Sequence, residues 1–129
     1  GIALEEQDVM WFSTSEKKEF FTREDRIKGL LERVTAVVCY NDSHAVSLLE
    51  LCKKWNVRVP EDLSVVGIDD SKLAKICEVP LTTVRHPHQL LGERAAQKIL
   101  EMIENPEKQF RDVLYEPELV ERESTRKHD

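Results

Sequence analysis

The sequence predicts an α/β fold in which a parallel sheet is covered by helices. Two runs of apolar, mostly β-branched residues, 35–40 and 63–68, each end abruptly in acids and amides. Such near-continuous apolar runs are typical of strands that are buried on both faces of a parallel sheet. Helical patterns separate the runs, and the resulting β-α-β-α-β order with short connections favours right-handed crossovers. We therefore expect a three-layer lobe.

The polar residues that follow these two strands are the first candidate site. Asn41 and Asp42 follow the first run, and Asp69 and Asp70 follow the second. Ligands of parallel α/β sheets bind outside the carboxyl ends of the strands, so neighbouring strands would bring all four side chains to one rim. Such a rim could hydrogen-bond a small polar molecule. Helix capping by the first pair and a solvated turn at the second pair remain open as alternatives.

The N-terminal part predicts one strand and one helix. Residues 8–12 have the apolar and aromatic character of a short strand. Ser13 and Glu16 have the spacing of a capping box, which would start a helix over about 16–33. A second start signal at Thr22 allows a shorter helix after a loop. In either case the helix would turn one apolar stripe toward the sheet, formed by Phe20, Ile27, Leu31 and Val34.

The central part predicts a second helix between the two buried strands. Asp42 or Ser43 can cap this helix, and Trp55 closes it. Its apolar residues recur at helical spacing at Ala45, Leu48, Leu49 and Cys52. Residues 57–62 form the turn into the next strand, where Pro60 prevents the helix from continuing.

After Asp70 the pattern predicts smaller elements and one long helix. Residues 71–78 form a short helical turn or loop, and residues 81–86 are extended. Pro87 suits the first position of a helix that ends at 105–106. The apolar stripe of that helix consists of Leu91, Ala95, Ile99, Met102 and Ile103. Residues 111–115 are predicted to form the last strand.

Composition excludes several classes of protein. The 129 residues suffice for one domain, and a net charge of −6 argues against binding nucleic acid through this segment alone. No window approaches the ~18 apolar residues of a membrane span, and no signal-peptide pattern is visible. Cys39, Cys52 and Cys77 are odd in number and widely spaced, which is typical of reduced cysteines in a cytoplasmic protein.

The sequence contains no pattern typical of an enzyme or a metal site. The four histidines, of which His86 before Pro87 is the best ligand candidate, lack metal-binding spacing. Adjacent acids such as Asp69 and Asp70 could hold Mg²⁺ or exchange protons. However, neither a nucleophile elbow nor a Gly-rich phosphate loop accompanies them. We therefore expect a protein that is not an enzyme and has no cofactor.

Several segments, in matching order and spacing, resemble the successive signatures of the effector-binding half of LacI/GalR-type repressors. These are residues 35–45, 59–70, 81–87 with Leu91 and Gly92, and 116–120 with Arg122, Ser124 and Thr125. Within that family, the chain is most similar to the arabinose-repressor branch. The strings Cys39-Tyr40-Asn41-Asp42, Val84-Arg85-His86-Pro87 and 115–119 carry the narrower similarity.

The resemblance implies a periplasmic-binding-protein-like fold, in which a sugar binds between two lobes joined by three crossovers. It implies that this chain is a truncated form of that fold. Residues 1–84 would be part of the C-terminal lobe. Residues 85–129 would comprise a crossover, a helix and a final strand and tail that pack on, or return from, the other lobe.

The resemblance also assigns roles to the polar rim and to the histidines. Carboxylate, amide and imidazole groups suit sugar hydroxyls, which both donate and accept hydrogen bonds. The positions that match ligand contacts are Asn41, Asp69 and His86. The positions expected to cap, brace or lie near the ligand are Asp42, Asp70 and His88.

The function implied is that of a sugar sensor in a cytoplasmic, homodimeric bacterial transcriptional repressor. The effector would be a sugar, with L-arabinose favoured. Operator DNA would be bound through a GntR-type winged-helix domain outside this chain. The alternative is a periplasmic-type sugar-binding protein for transport, which shares the two-lobed plan.

Overall fold

The computed structural model describes residues 5–11 and 23–127. The chain divides into two compact units, Gly1–Ala36 and Val37–Asp129. The first unit contains a 3-10 helix at Glu6–Asp8 and helix α1 at Glu24–Leu31. Helix α1 agrees with the shorter of the two predicted helices, and Ile27 of the predicted stripe is buried.

The strand predicted at 8–12 is wrong for the residues that are described there. The Asp8 carboxylate accepts a hydrogen bond from the Glu5 N–H at 3.1 Å, and this local bond stabilises a turn in place of a strand. Ser13, Glu16 and the Phe20 end of the predicted stripe lie outside the described residues, as does Thr22.

Four strands form one sheet in the order β1-β2-β3-β4. Their bounds are Ala36–Val38, Ser64–Ile68, Thr82–Arg85 and Glu118–Val120. The helices of the second unit are α2 at Asp42–Lys54, α3 at Lys72–Ile76 and α4 at His88–Glu104. Strands β2 and β3 are parallel, and β4 runs antiparallel to β3. Taken as a whole, the sheet of four strands is mainly parallel, which confirms the predicted α/β class.

The apolar core lies between helix α2 and strand β2. Leu48 and Leu51 of α2 are buried there, together with Val65 of β2. Leu51 replaces Leu49 of the predicted stripe, because Leu49 is only half-buried. Burial of each large apolar side chain contributes about 1.5–3 kcal/mol, so this interface supplies much of the stability of the second unit.

Strand β1 is not buried on both faces as predicted. It occupies an edge of the described sheet, and the side chains on one of its faces meet solvent. Val38 is 71% exposed and the following Tyr40 is 74% exposed, whereas Cys39 is buried. An apolar β-branched run therefore indicated a strand here, but it did not show which face would be covered.

The last strand lies later in the chain than predicted. Residues 111–115 are not in a strand, and strand β4 forms at Glu118–Val120. There Glu118 pairs with Arg85 across the antiparallel ladder, with an Arg85 Nη1 to Glu118 Oε2 distance of 3.0 Å. Such cross-strand pairs stabilise a sheet, and 111–115 has no equivalent partner strand among the described residues.

Helix α4 leaves its apolar stripe in solvent. No residue of the helix is buried, and Ile99, Met102 and Ile103 are all exposed. Pro87 is the N-cap and precedes the first helical position by one residue. The predicted helix is therefore confirmed, and its stripe remains a surface that is able to associate.

Replacement of Gly67 by alanine should destabilise the fold. A Cβ at this position would overlap Asp42 Oδ1 and lie 2.8 Å from Leu81 Cδ2, both in the core. We expect a loss of about 1–3 kcal/mol in the free energy of unfolding, measured by urea denaturation. Gly92→Ala is the matched control, because its Cβ would meet nothing within 4 Å. It should stabilise helix α4 by up to about 1 kcal/mol. Equal effects of both substitutions would contradict this packing.

The isolated chain should self-associate through helix α4. Removing several exposed Leu and Ile side chains from water contributes about 1.5–3 kcal/mol each, which favours association. Light scattering at micromolar concentration should give a mass above the 15.0 kDa of one chain. The double substitution Ile99→Lys with Ile103→Lys, at two exposed positions of the stripe, should restore the monomer. A monomeric unsubstituted chain would refute the prediction.

Candidate functional site

Asn41 lies at the end of strand β1 and caps helix α2. Its Oδ1 accepts a hydrogen bond from the His44 N–H at 2.9 Å and lies 2.7 Å from His44 Nδ1. The predicted caps, Asp42 and Ser43, are therefore wrong, and the capping alternative applies to Asn41. A ligand contact by Asn41 stays a prediction, and it would use the amide nitrogen, which can donate.

Asp42 lies in the core and hydrogen-bonds both to strand β3 and to the segment that follows strand β2. Its side chain is almost completely buried, and Oδ1 accepts a hydrogen bond from Thr83 Oγ1 at 2.5 Å. Oδ2 accepts a hydrogen bond from the Ser71 N–H at 2.6 Å. Gly67 leaves the space that this carboxylate fills. Asp42 thus braces the rim, since both of its oxygens are held by protein donors.

Asp70 is held between two arginines. Its side chain is 5% exposed; Oδ2 accepts a hydrogen bond from Arg85 Nε at 2.7 Å, and Oδ1 accepts one from Arg122 Nη2. Burial alone would raise the pKa of the Asp70 carboxyl. The hydrogen bonds and charges of Arg122 and Arg85 outweigh burial and hold this pKa below its ordinary value. Asp70 is therefore an ionised support at neutral pH.

The segment after strand β4 attaches the Asp70 ion pairs to the sheet through hydrogen bonds. Arg122 Nη1 donates to the Leu81 carbonyl at 2.7 Å. Ser124 is fully buried; its Oγ donates to the Val65 carbonyl at 2.6 Å and accepts from the Thr82 N–H at 2.8 Å. The motif Arg-x-Ser-Thr was visible in the sequence, but the role of Arg122 was missed. A basic residue in this motif, late in the chain, could have indicated a partner for one of the rim acids.

Asp69 is the acid that remains open to solvent. Its N–H donates to the Val84 carbonyl at 2.8 Å, and its backbone has φ 111°. L side chains rarely adopt this left-handed region of φ. The carboxylate is exposed, and no described side chain forms a hydrogen bond to it. Asp69 is thus the rim acid best placed to bind something else.

A cleft of about 510 Å³ opens beside Asp69. Its wall consists of Asp69, Asp70, Arg85, His86, Pro87, His88, Gln89, Leu90 and Glu93. The His86 and His88 rings meet edge to face, with 5.7 Å between their centroids. The structure thus gathers four of the six predicted site residues in one cleft, and Asn41 and Asp42 do not line it.

The cleft also contains polar residues that sequence reasoning missed. Gln89 Nε2 donates to Glu93 Oε1 at 3.0 Å on the first turns of helix α4. Their spacing of four residues places both side chains on one face of the helix, and this signal could have been recognised. The cleft therefore offers carboxylates, an amide and imidazoles, which can both donate to and accept from a polar ligand.

The cysteines are free thiols. Burial, followed by the neighbouring Cys52, raises the pKa of Cys39 to about 12, and burial raises that of Cys52 to about 11. Both are therefore protonated at neutral pH. The described residues contain no group of three or more His, Cys, Asp or Glu side chains able to hold a metal ion. Within those residues, no helix has the length and apolar character needed to cross a membrane.

The match to a protein family covers nearly the whole chain. The model of the periplasmic binding protein-like domain matches residues 3–125, so the chain belongs to this family. The expected periplasmic-binding-protein-like fold is thereby confirmed.

The curated relatives to which this chain is similar are transcriptional regulators. The chain is 42% identical to the arabinose metabolism transcriptional repressor of Halalkalibacterium halodurans, over 97% of this chain and 35% of that repressor. The chain thus spans between about a quarter and about a third of the length of these curated relatives. The similarity of the motifs to LacI/GalR-type repressors, and to arabinose repressors among them, is confirmed. These relatives are regulatory proteins rather than enzymes.

Solved structures of regulators share the fold. A complex of the transcriptional regulator CelR with cellobiose superposes with a TM-score of 0.73 at 30% identity, over 80% of this chain and 32% of CelR. The lac repressor dimer bound to operator and an anti-inducer gives a TM-score of 0.71 at 27% identity, over 82% of this chain and 36% of that one. This chain therefore shares its fold with part of each of these regulators.

The ion pairs of Asp70 should make the stability of the fold depend on pH. The pKa of Asp70 is lower in the folded chain than in the unfolded chain. Its contribution is therefore complete above the unfolded value of about 4 and is lost as pH falls through the folded value. Asp70→Asn should cost about 2 kcal/mol of unfolding free energy at pH 7, because charge-assisted hydrogen bonds are lost.

This difference between the unsubstituted chain and Asp70→Asn should shrink below pH 4. Urea denaturation from pH 7 to pH 2.5 measures it. Asp62, whose hydrogen bonds from Arg58 lower its pKa to about 2, adds its own acid dependence equally to both proteins. Asp112→Asn, a change at an exposed position, is the control and should match the unsubstituted chain. A difference that stays constant with pH would contradict the assignment.

Proposed function

We propose that this chain is part of the sugar-sensing domain of a bacterial transcriptional repressor and that the cleft beside Asp69 is one wall of the sugar site. The observation that carries this proposal is the exposed Asp69 carboxylate, which lies in one cleft with His86 and His88. The cleft lies beyond the carboxyl ends of the parallel strands β2 and β3, where α/β sheets bind ligands.

The chemistry of the cleft suits a sugar. Each sugar hydroxyl donates one hydrogen bond and accepts others, so a carboxylate acceptor and imidazole groups can bind adjacent hydroxyls. Asp69 would accept from hydroxyls, and His86 would hold a neighbouring oxygen, with His88 beside it. Asn41 would contact the sugar through its amide nitrogen. Asp42 and Asp70 would support the site without touching the ligand.

The favoured sugar is L-arabinose. The repressor of arabinose metabolism from Halalkalibacterium halodurans supports this choice, and the complex of CelR with cellobiose supports the broader class of sugars. These names describe repressors and a regulator, which favours a repressor over a periplasmic-type transport protein.

The sensor would act by linking sugar binding to DNA binding. A sugar shifts an equilibrium between conformations only if it binds one of them more tightly. Residues 1–84 would belong to one lobe, and residues 85–129 would cross to the other lobe and return. Operator DNA would be bound by a GntR-type winged-helix domain elsewhere in a cytoplasmic, homodimeric protein. The net charge of −6 in this chain agrees with DNA contacts located outside it.

Substitution of Asp69 tests the site in the longer protein that would carry this chain. Asp69→Asn should weaken L-arabinose binding by about 1.5 kcal/mol or more, roughly tenfold, because a charge-assisted hydrogen bond is lost. Isothermal titration calorimetry measures the affinity. Asp112→Asn makes the same chemical change at an exposed position outside the cleft wall and should leave the affinity unchanged. Unchanged affinity in Asp69→Asn would remove Asp69 from the site.

A further inference from the structure

We propose that Arg122 is a positioning residue for Asp69. Acting through Asp70, it holds the backbone after strand β2 in the conformation that presents the Asp69 carboxylate to the cleft. This inference rests on the proposed function, since it takes Asp69 to be a ligand contact.

The backbone of Asp69 and Asp70 has an unfavourable conformation that other contacts must stabilise. Asp69 and Asp70 have φ values of 111° and 48°, two consecutive positive values in residues other than glycine. Such conformations are sparsely populated for L side chains and persist where the surrounding structure enforces them. They occur here beside the cleft, at the residue whose carboxylate faces solvent. The strained segment is therefore the support of the candidate ligand contact.

Hydrogen bonds donated by backbone N–H groups hold both ends of this segment. The Asp69 N–H donates to the Val84 carbonyl at 2.8 Å, and the Ser71 N–H donates to Asp42 Oδ2 at 2.6 Å. Between them, the Asp70 N–H makes only a long bond of 3.3 Å to Thr83 Oγ1. The stronger attachment of Asp70 is therefore its side chain, through the two arginines.

Arg122 is the better fixed of the two arginines. Its side chain is 15% exposed, against 41% for Arg85. A second nitrogen of Arg122 donates to the Leu81 carbonyl at 2.7 Å, so the guanidinium is anchored to the sheet. Arg85 is instead shared with Glu118 and lines the cleft, where it could touch a ligand itself.

Arg122 is not part of the cleft wall. Any effect of this residue on sugar affinity would therefore be indirect and would be transmitted by Asp70. Arg122 follows strand β4 by two positions, so it connects the C-terminal end of the chain to the conformation of Asp69. An arginine suits this role because its planar guanidinium holds its N–H donors in a fixed geometry, whereas the ammonium of a lysine is a compact charge on a flexible stem.

Amide hydrogen exchange in the 129-residue chain tests the support without any ligand. In Arg122→Gln, the amides of Asp69, Asp70 and Ser71 should exchange at least tenfold faster, while the amides of helix α2 keep their protection. Arg122→Lys retains the charge and should give an intermediate rate at the same amides. Arg58→Gln is the control, because it breaks only an exposed ion pair with Asp62, and it should leave all three rates unchanged. Uniform acceleration throughout the second unit, or no local change, would overturn the proposal.

A double-substitution cycle in the longer protein tests the effect on L-arabinose affinity. Asp69→Asn and Arg122→Gln should each weaken binding about tenfold, the value of one charge-assisted hydrogen bond. If Arg122 acts only through Asp69, the double variant should also be about tenfold weaker, whereas independent effects would multiply to about a hundredfold. A hundredfold loss would overturn the positioning role.

Hydrogen exchange and sugar affinity together distinguish a failure of the proposed function from a failure of the positioning role of Arg122. If the unsubstituted longer protein binds no L-arabinose, the proposed function fails for that sugar, and the exchange rates still decide whether Arg122 holds the segment. If the sugar binds and Arg122→Gln leaves its affinity unchanged, the proposed function stands and the positioning role is refuted.

Discussion

The carboxylate of Asp70 between Arg85 and Arg122 is the interaction on which the candidate site depends. Removing a carboxylate from water is costly and is tolerated only where ion pairs and hydrogen bonds replace the lost hydration. Here the replacement comes from strand β3 and from the segment after β4. One side chain thus joins the end of β2 to two other parts of the chain, and its neighbour Asp69 stays open to the cleft.

Strand β3 extends this polar network into the core. Its two buried threonines point to opposite faces of the sheet, as successive residues of a strand do. Thr83 donates to the buried Asp42 carboxylate, and Thr82 Oγ1 lies 2.8 Å from Thr125 Oγ1 while its N–H donates to Ser124. The Leu-Thr-Thr-Val motif at 81–84 therefore contacts the Arg-x-Ser-Thr motif at 122–125, because hydroxyls of one motif form hydrogen bonds with polar groups of the other. Buried polar groups of this kind need such partners to be stable.

Much of the second unit could be predicted because its elements have strong local patterns. Helices α2 and α4 and strands β2 and β3 follow from apolar periodicity and from turn residues. Strand β4 could not be predicted, since pairing with β3 selects Glu118–Val120 over residues 111–115, and the local pattern does not distinguish the two segments. The strand predicted at 8–12 failed for a different reason, because a local bond between Glu5 and Asp8 competes with extended structure.

The candidate site was predictable in its acids and histidines, because polar residues after buried strands mark a binding rim. The features of the site that could not be predicted from the sequence are long-range contacts. Nothing local showed that Arg122 reaches Asp70 across 52 positions of sequence, or that Thr83 reaches Asp42 across 41. Those contacts decide which polar groups are engaged by the protein and which remain available to a ligand.

The most direct measurement is an NMR titration of the ¹⁵N-labelled longer protein with L-arabinose, in which amide shifts show where the sugar binds. We expect saturable shifts that are largest at Asp69, His86 and His88 in the cleft. Saturable binding with its largest shifts elsewhere, or no binding of any sugar, would contradict the assignment of this cleft as a wall of a sugar site.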